Sequence, residues 1–206
     1  MEFSKQIREG TQSSHRSAES SDFIVRYMRG NIELDEFRRM NAALYLVYVA
    51  LEEEQVRHRD HLLVAPLCFP ALFRAESLRT DLRFLYGPDW EEHLGPSPAG
   101  KAYIDRIRWV GDNDPVLLVA HLYTRYLGDL SGGQMLARVA RKTLETKGGQ
   151  GMSFYVFDEV SNPKEFKNMY RRRMDELPLD ESQRQAIIDE ANHVFALNQG
   201  LFSELD

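Results

Sequence analysis

Tyr123-Thr124-Arg125-Tyr126-Leu127-Gly128-Asp129-Leu130-Ser131-Gly132-Gly133-Gln134 is the stretch on which the reading of this chain turns. It lies inside a helical pattern. Asp114-Pro115 reads as an N-cap followed by a first-turn proline. Val116, Leu117, Val119, Ala120, Tyr123, Leu127 and Leu130 supply an apolar stripe at helical spacing. Met135, Leu136, Val139, Ala140 and Leu144 continue it, and Lys147-Gly148-Gly149 ends it. Three glycines interrupt the stripe, each costing about 1 kcal/mol relative to alanine in a helix. Such glycines belong where the backbone must bend, or where something must lie directly against it.

A chain of 206 residues is expected to form one domain, over 1–206, with a sizeable core. Its 43% hydrophobic and 28% charged residues are ordinary for a soluble globular protein. A net charge of −6 argues against nucleic acid as the main partner. Basic residues nevertheless cluster locally: Arg138, Arg141 and Lys142, then Lys164, Lys167, Arg171, Arg172 and Arg173. The single cysteine, Cys68, forbids an internal disulfide and fits a reducing compartment such as the cytoplasm. The longest uncharged apolar run, 42–51, is too short to span a bilayer, and the N-terminus has no signal-peptide pattern. Membrane tethering would need a C-terminal anchor removed from the sequence as given.

The rest of the chain reads as helices and turns. Helices are expected at 5–19, 22–29, 34–63, 76–86, 99–110, 162–174 and 180–201, besides the glycine-broken one. Asp180 with Gln183 resembles a capping box. Residues 154–157 could be a short strand or a packed loop, and 148–151 a flexible link. The expectation is all-α, with about eight unequal helices and no regular four-helix bundle.

His15 and Glu19 lie four residues apart on one helix face. A carboxylate holding one ring nitrogen prepares the other as an axial metal ligand. Thr11, Ser14 and Ala18 around them are small enough to admit a broad flat group. Glu54, His58 and His61 could form a metal face, but neighbouring Arg57, Arg59 and Asp60 favour a solvated helix end. Glu190-x-x-His193 matches half of a di-iron carboxylate site, with no second pair. His121 and His93 have no matched partners in the sequence.

Leu130-Ser131-Gly132-Gly133-Gln134 also spells the signature of ATP-binding-cassette nucleotidases. Gly95 to Lys101 reads G-x-x-x-x-G-K, and residues 154–159 resemble a Walker B strand. The nucleotidase reading fails on chemistry. A phosphate loop needs Ser or Thr after its lysine, and here Ala102 follows. Pro96 and Pro98 remove two N–H donors, and the alternating strands of an α/β enzyme are missing.

Along nearly its whole length the chain resembles the haem oxygenases. Residues 123–134 match the family's distal-helix motif. Tyr48 with Ala50-Leu51-Glu52-Glu53-Glu54 matches a second block; Phe166-Lys167, Tyr170-Arg171 and Phe195 with Asn198 follow in the expected order. His15 with Glu19 falls where the family's proximal pair falls.

The resemblance implies haem held between a proximal helix carrying His15 and a kinked distal helix at 115–146. Haem is then both cofactor and substrate. It is cleaved by O2 and external electrons to biliverdin, carbon monoxide and ferrous iron. His15 is implied as the axial iron ligand, with Glu19 steadying its ring. Gly128, Gly132, Gly133 and Ser131 are implied to place backbone over the haem face. Asp129 is implied to order a proton-delivering water network with Tyr48, Thr124, Arg125 and Asn198. Arg8, Tyr123, Lys167 and Arg171 are implied to clamp the propionates, with Phe195 and Phe202 packing on the ring or ordinary core of the last helix. Many animal members carry a lysine where this chain has Gln12. An acidic flavoprotein reductase or ferredoxin is the implied electron donor, landing on the basic cluster. The alternative is a haem-binding or haem-sensing module without turnover.

Overall fold

The computed structural model describes residues 1–144 and 149–205. Among these there are ten α-helices and no strand. They are α1 (Phe3–Gly10), α2 (Gln12–Glu19), α3 (Asp22–Met28), α4 (Leu34–Arg57), α5 (Ala75–Tyr86), α6 (Pro98–Asn113), α7 (Leu118–Asp129), α8 (Gly132–Thr143), α9 (Pro163–Asp175) and α10 (Glu181–Ser203). The all-α expectation holds; ten helices replace the expected eight because two long stripes are each broken in the middle.

The first break is at Thr11, which sits at φ −106° and ψ 2° and divides the expected 5–19 helix into α1 and α2. The Thr11 hydroxyl donates back to the Ile7 carbonyl at 2.7 Å, a bond that competes with helix continuation. Gly10 beside it permits close approach to α10: a Cβ there would stand 2.7 Å from Ile188 Cγ2.

The second break is in the glycine-rich stretch. Ser131 leaves the helical region at φ −122° and ψ −89°, and its N–H bonds the Gly128 carbonyl, three residues back, at 3.0 Å. The bend therefore hinges on Ser131. None of Gly128, Gly132 or Gly133 is among the positive-φ glycines. Two smaller corrections concern the ends of elements. Pro115–Leu117 is a 3-10 turn before α7, and Asp114 makes no side-chain cap bond. The expected helix 34–63 ends at Arg57: beyond Leu51 the buried positions of α4 become Glu52, Glu54 and Gln55, and Val56 is already exposed. The expected stop at Lys147-Gly148 lies outside the described residues.

The other ends follow local chemistry. Asn162 accepts from the N–H groups of Lys164 and Glu165 to start α9. The Asp180–Gln183 capping box is formed on both sides and starts α10. Residues 154–157 are no strand; Ser153–Tyr155 is a 3-10 turn within a strap, 152–157.

The core lies where α4 packs between α5 and α6, and where α10 runs across α1, α2, α6 and α7. Phe37, Val47 and Leu51 of α4, Val119, Leu122 and Tyr126 of α7, and Ile187 and Val194 of α10 are sealed within it. Each such side chain contributes about 1.5–3 kcal/mol by leaving water. This packing is what carries polar residues of α4, α7 and α10 into a common interior. No described helix is long and apolar enough to cross a membrane.

Candidate active site

Helix α2 buries none of its side chains fully. Polar contacts hold it on α10: Ser14 Oγ donates to Asn192 Oδ1 at 2.6 Å, and Gln199 Nε2 to Ser17 Oγ at 2.7 Å. His15 is therefore half exposed. Its Nδ1 lies 3.5 Å from Glu19 Oε2, and its ring stands edge-on to Phe195, 5.5 Å between centroids. Glu19 thus stands beside Nδ1 rather than Nε2.

The bend between α7 and α8 presents bare backbone. A methyl built on Gly128 or Gly132 would meet nothing within 4 Å, so internal packing does not require these glycines. At Gly133 it would make ordinary contact with the Gly128 carbonyl and the Tyr155 ring. The backbone at the first two positions is open on that face.

Behind the bend is a buried polar cluster. Tyr48 of α4 donates to Asp129 Oδ2. Arg125 Nε donates to Tyr48 Oη at 3.1 Å, Nη1 to Asn198 Oδ1 at 2.6 Å, and Nη2 to Asp129 Oδ1 at 3.4 Å. Burial pushes the Asp129 carboxyl above the ordinary carboxylate range, while Arg125 and Tyr48 pull it back. Burial likewise drives the Tyr48 phenol well up, so it stays a protonated donor. The Thr124 hydroxyl is buried without a direct partner among the described residues.

A basic rim completes the site. Lys167 of α9 donates to Ser131 Oγ at 2.8 Å and to the Leu130 carbonyl at 3.3 Å, on the bend itself. Partial burial and neighbouring Arg171 lower its ammonium pKa. Tyr123 bonds Thr11 and feels the charges of Arg171 and Arg8; burial, the larger effect, raises its phenol. Arg8, Tyr123, Lys167 and Arg171 therefore share one electrostatic neighbourhood.

A sequence model of the heme oxygenase family matches residues 1–204. The chain belongs to the haem oxygenase family. It is 45% identical to heme oxygenase 1 of Synechocystis sp., covering 98% of this chain and 83% of that protein. It is also 45% identical to heme oxygenase 2 of Rattus norvegicus, covering 100% of this chain and 66% of that protein. Its structure is similar to the crystal structure of Synechocystis heme oxygenase-1 in complex with heme, with a TM-score of 0.96, 43% identity and 100% and 93% of the two chains covered.

Among haem oxygenase signature residues, the fold brings Tyr48, Arg125, Asp129 and Asn198 into direct contact, while Thr124 makes no bond to them. Phe195 meets His15, whereas Phe202 stacks on Phe23 at 5.6 Å, in the interior edge of α10. Gln12 is exposed on α2. The other histidine clusters dissolve. Glu54 is engaged by Arg57 and Arg108, and Glu190 by Arg106. No group of three or more His, Cys, Asp or Glu among the described residues could hold a metal ion.

Two contacts escaped the sequence. His121, without a partner in the sequence, bonds Glu190 Oε1 through Nε2 at 2.9 Å, because α7 and α10 cross there. Tyr103 of α6 accepts from Asn198 Nδ2 at 3.3 Å and extends the distal cluster. Only an expected α6–α10 crossing could have suggested it.

Proposed function

We propose that this protein cleaves haem with O2 and external electrons, with His15 as the protein ligand to the iron and Asp129 as the organiser of proton delivery on the opposite face. One observation carries the reading. Tyr48, Arg125, Asp129 and Asn198 form a single buried hydrogen-bonded cluster directly behind glycine backbone that is open on its outer side. A haem-storing or haem-sensing pocket has no use for such a cluster, so the enzyme is favoured over that alternative.

Haem, as substrate, supplies the iron that activates O2 and the ring edge that is oxidised; the products are biliverdin, carbon monoxide and ferrous iron. The chain's own residues do four things. Glu19, 3.5 Å from His15 Nδ1, would steady the ring with Nε2 available to a metal. Gly128, Ser131, Gly132 and Gly133 admit a flat ring against backbone. Arg125 clamps Asp129, Tyr48 and Asn198 with three of its N–H groups, so the carboxylate orients water without moving. Thr124 Oγ1, buried and unpartnered, is a natural anchor for such a water. Arg8, Tyr123, Lys167 and Arg171 bind two carboxylates at one edge, where arginine's planar fork suits both oxygens.

Electrons come from a separate protein. Arg138, Arg141, Lys142, Lys164, Arg172 and Arg173 are all exposed and suit an acidic flavoprotein reductase or ferredoxin. Half-buried, unpaired Cys68 suits a reducing compartment such as the cytoplasm. The deciding experiment adds haem, then a reductant under air, and follows the visible spectrum. Loss of the Soret band with growth of a biliverdin band is expected. A Soret band that persists without biliverdin would overturn the enzymatic reading.

A further inference from the structure

The strap 152–157 is held by more buried charge than a surface connection needs. Asp81 of α5, fully buried, accepts from Ser153 N and Phe154 N at 2.8 Å each. Arg74, 5% exposed, donates to the carbonyls of Phe154 at 3.2 Å and Val156 at 2.5 Å. Its guanidinium lies 3.9 Å from the centre of the Phe157 ring. Arg74 is itself seated by Glu52, whose Oε1 accepts from the Arg74 N–H and from Ala75 N at 3.1 Å. Burying charges is expensive unless their bonds are made. Both Asp81 bonds and the two from Arg74 Nη1 go to this one short segment, while Arg74 Nε and Nη2 bond the carbonyls of Leu72 at 3.0 Å and Ala71 at 3.5 Å.

The strap touches the proton-delivery cluster at two points. The Phe154 ring stands edge-on to Tyr48, 5.7 Å between centroids, and Tyr48 is the donor to Asp129. On the other side Gln134, just past the bend, spends both N–H groups of its amide at once. They reach the Tyr155 carbonyl at 3.0 Å and the Asp129 carbonyl at 3.4 Å. One side chain thus ties together the strap, the helix before the bend and the helix after it. The Tyr155 hydroxyl, 3.3 Å from that of Tyr27, fixes the strap to α3 as well.

We propose that Asp81, Arg74 and Gln134 are positioning residues for proton delivery: they hold the 152–157 strap as a rigid brace behind the bend, and the brace fixes where Asp129 and Tyr48 stand. The proposal rests on the reading of Asp129 given above. None of the three touches the substrate; they act through the groups that do.

The test compares Gln134→Glu, Asp81→Asn, the double variant and Asp129→Asn in the full chain. Gln134→Glu keeps the shape and removes both donors. In haem-free protein, amide hydrogen exchange at 129–134 should speed up about tenfold in Gln134→Glu, with α4 and α10 unchanged, as expected for losing a buried hydrogen bond. In the haem-loaded protein, the pH midpoint of the ferric water-to-hydroxide spectral change should move in the same direction as in Asp129→Asn. Turnover should fall roughly tenfold while haem affinity stays within about twofold, the mark of a loss felt only during reaction. The double variant should be little worse than the more severe single one, because both break one linkage. Wild-type exchange and midpoint in Gln134→Glu, or additive effects in the double variant, would overturn the brace. If Asp81→Asn does not fold, Gln134→Glu decides alone. An unshifted midpoint and normal turnover in Asp129→Asn would overturn the reading of Asp129, and the proposal with it, even where the bend exchanges faster.

Discussion

His15 Nδ1 and Glu19 Oε2 face each other at 3.5 Å, one helical turn apart on a helix that buries none of its side chains. The pair adds little to stability, since exposed pairs of this kind contribute about 0–1 kcal/mol. Its value is orientation. His15→Ala should therefore leave thermal stability nearly unchanged and abolish histidine ligation of the iron. An iron–histidine stretch surviving in the resonance Raman spectrum of the variant would refute the assignment.

The Asp129 carboxylate is joined to two donors, Tyr48 and Arg125. Asp129→Ala should bind haem with near-normal affinity and lose ring opening by about 100-fold or more, the scale of a lost positioned proton-transfer group. Haem titration and biliverdin absorbance separate the two effects; wild-type biliverdin yield would show that protons are organised elsewhere.

Lys167 and Arg171 form the basic rim with Arg8 and Tyr123. Removing either cation should weaken haem binding about tenfold, the scale of one charge-assisted hydrogen bond. With the clamp loosened, the ring can rotate in its plane, so the distribution of biliverdin isomers should also change. Chromatography of the products checks this, and an unaltered affinity and isomer pattern in Lys167→Ala/Arg171→Ala would remove these residues from the clamp.

Glu52 should give stability a pH dependence of opposite sign to most carboxylates. Burial raises its carboxyl from 4.5 to about 7, against the pull of the two backbone N–H groups it accepts from. The folded state then holds a proton that the unfolded chain releases, so stability falls as pH rises between about 4.5 and 7. Glu52→Gln keeps the accepting oxygen and removes the charge. Across that window it should gain about 3 kcal/mol on the parent protein, measured by denaturant melts at several pH values; parallel curves would contradict it.

Glu190 runs the other way. Burial would raise its carboxyl, but bonds from His121 and Arg106 outweigh it and hold the group at about 2. Its contribution is complete above about 4.5 and is lost as pH falls towards 2. Glu190→Gln should cost about 2 kcal/mol at neutral pH, shrinking to nothing in acid. A pH-independent difference would mean that packing, not charge, is what the variant disturbs.

The helices, their caps and the candidate site were legible to different depths. Apolar periodicity located the long helices, and Asn162 and the Asp180–Gln183 box located the last two, because caps are local chemistry. The family motifs named His15, Asp129 and their partners by number. Periodicity failed at Thr11 and Ser131. A stripe continues smoothly through a bend, and a hydroxyl bonding its own backbone leaves no trace in the spacing. It failed also at the end of α4, where buried Glu54 and Gln55 look like a solvated helix end.

From the sequence alone come an all-α chain, a stripe broken by three glycines, and a histidine with a carboxylate one turn away. All of these depend on neighbours within a few residues. The family resemblance grouped Tyr48, Arg125, Asp129 and Asn198, and tertiary structure decided the direct bonds that join them; it alone decided that His121 belongs to Glu190 and that Asp81 and Arg74 grip the strap behind the bend. Those pairs come from helices far apart in the chain. Buried polar groups find partners only where packing of apolar faces brings their helices together.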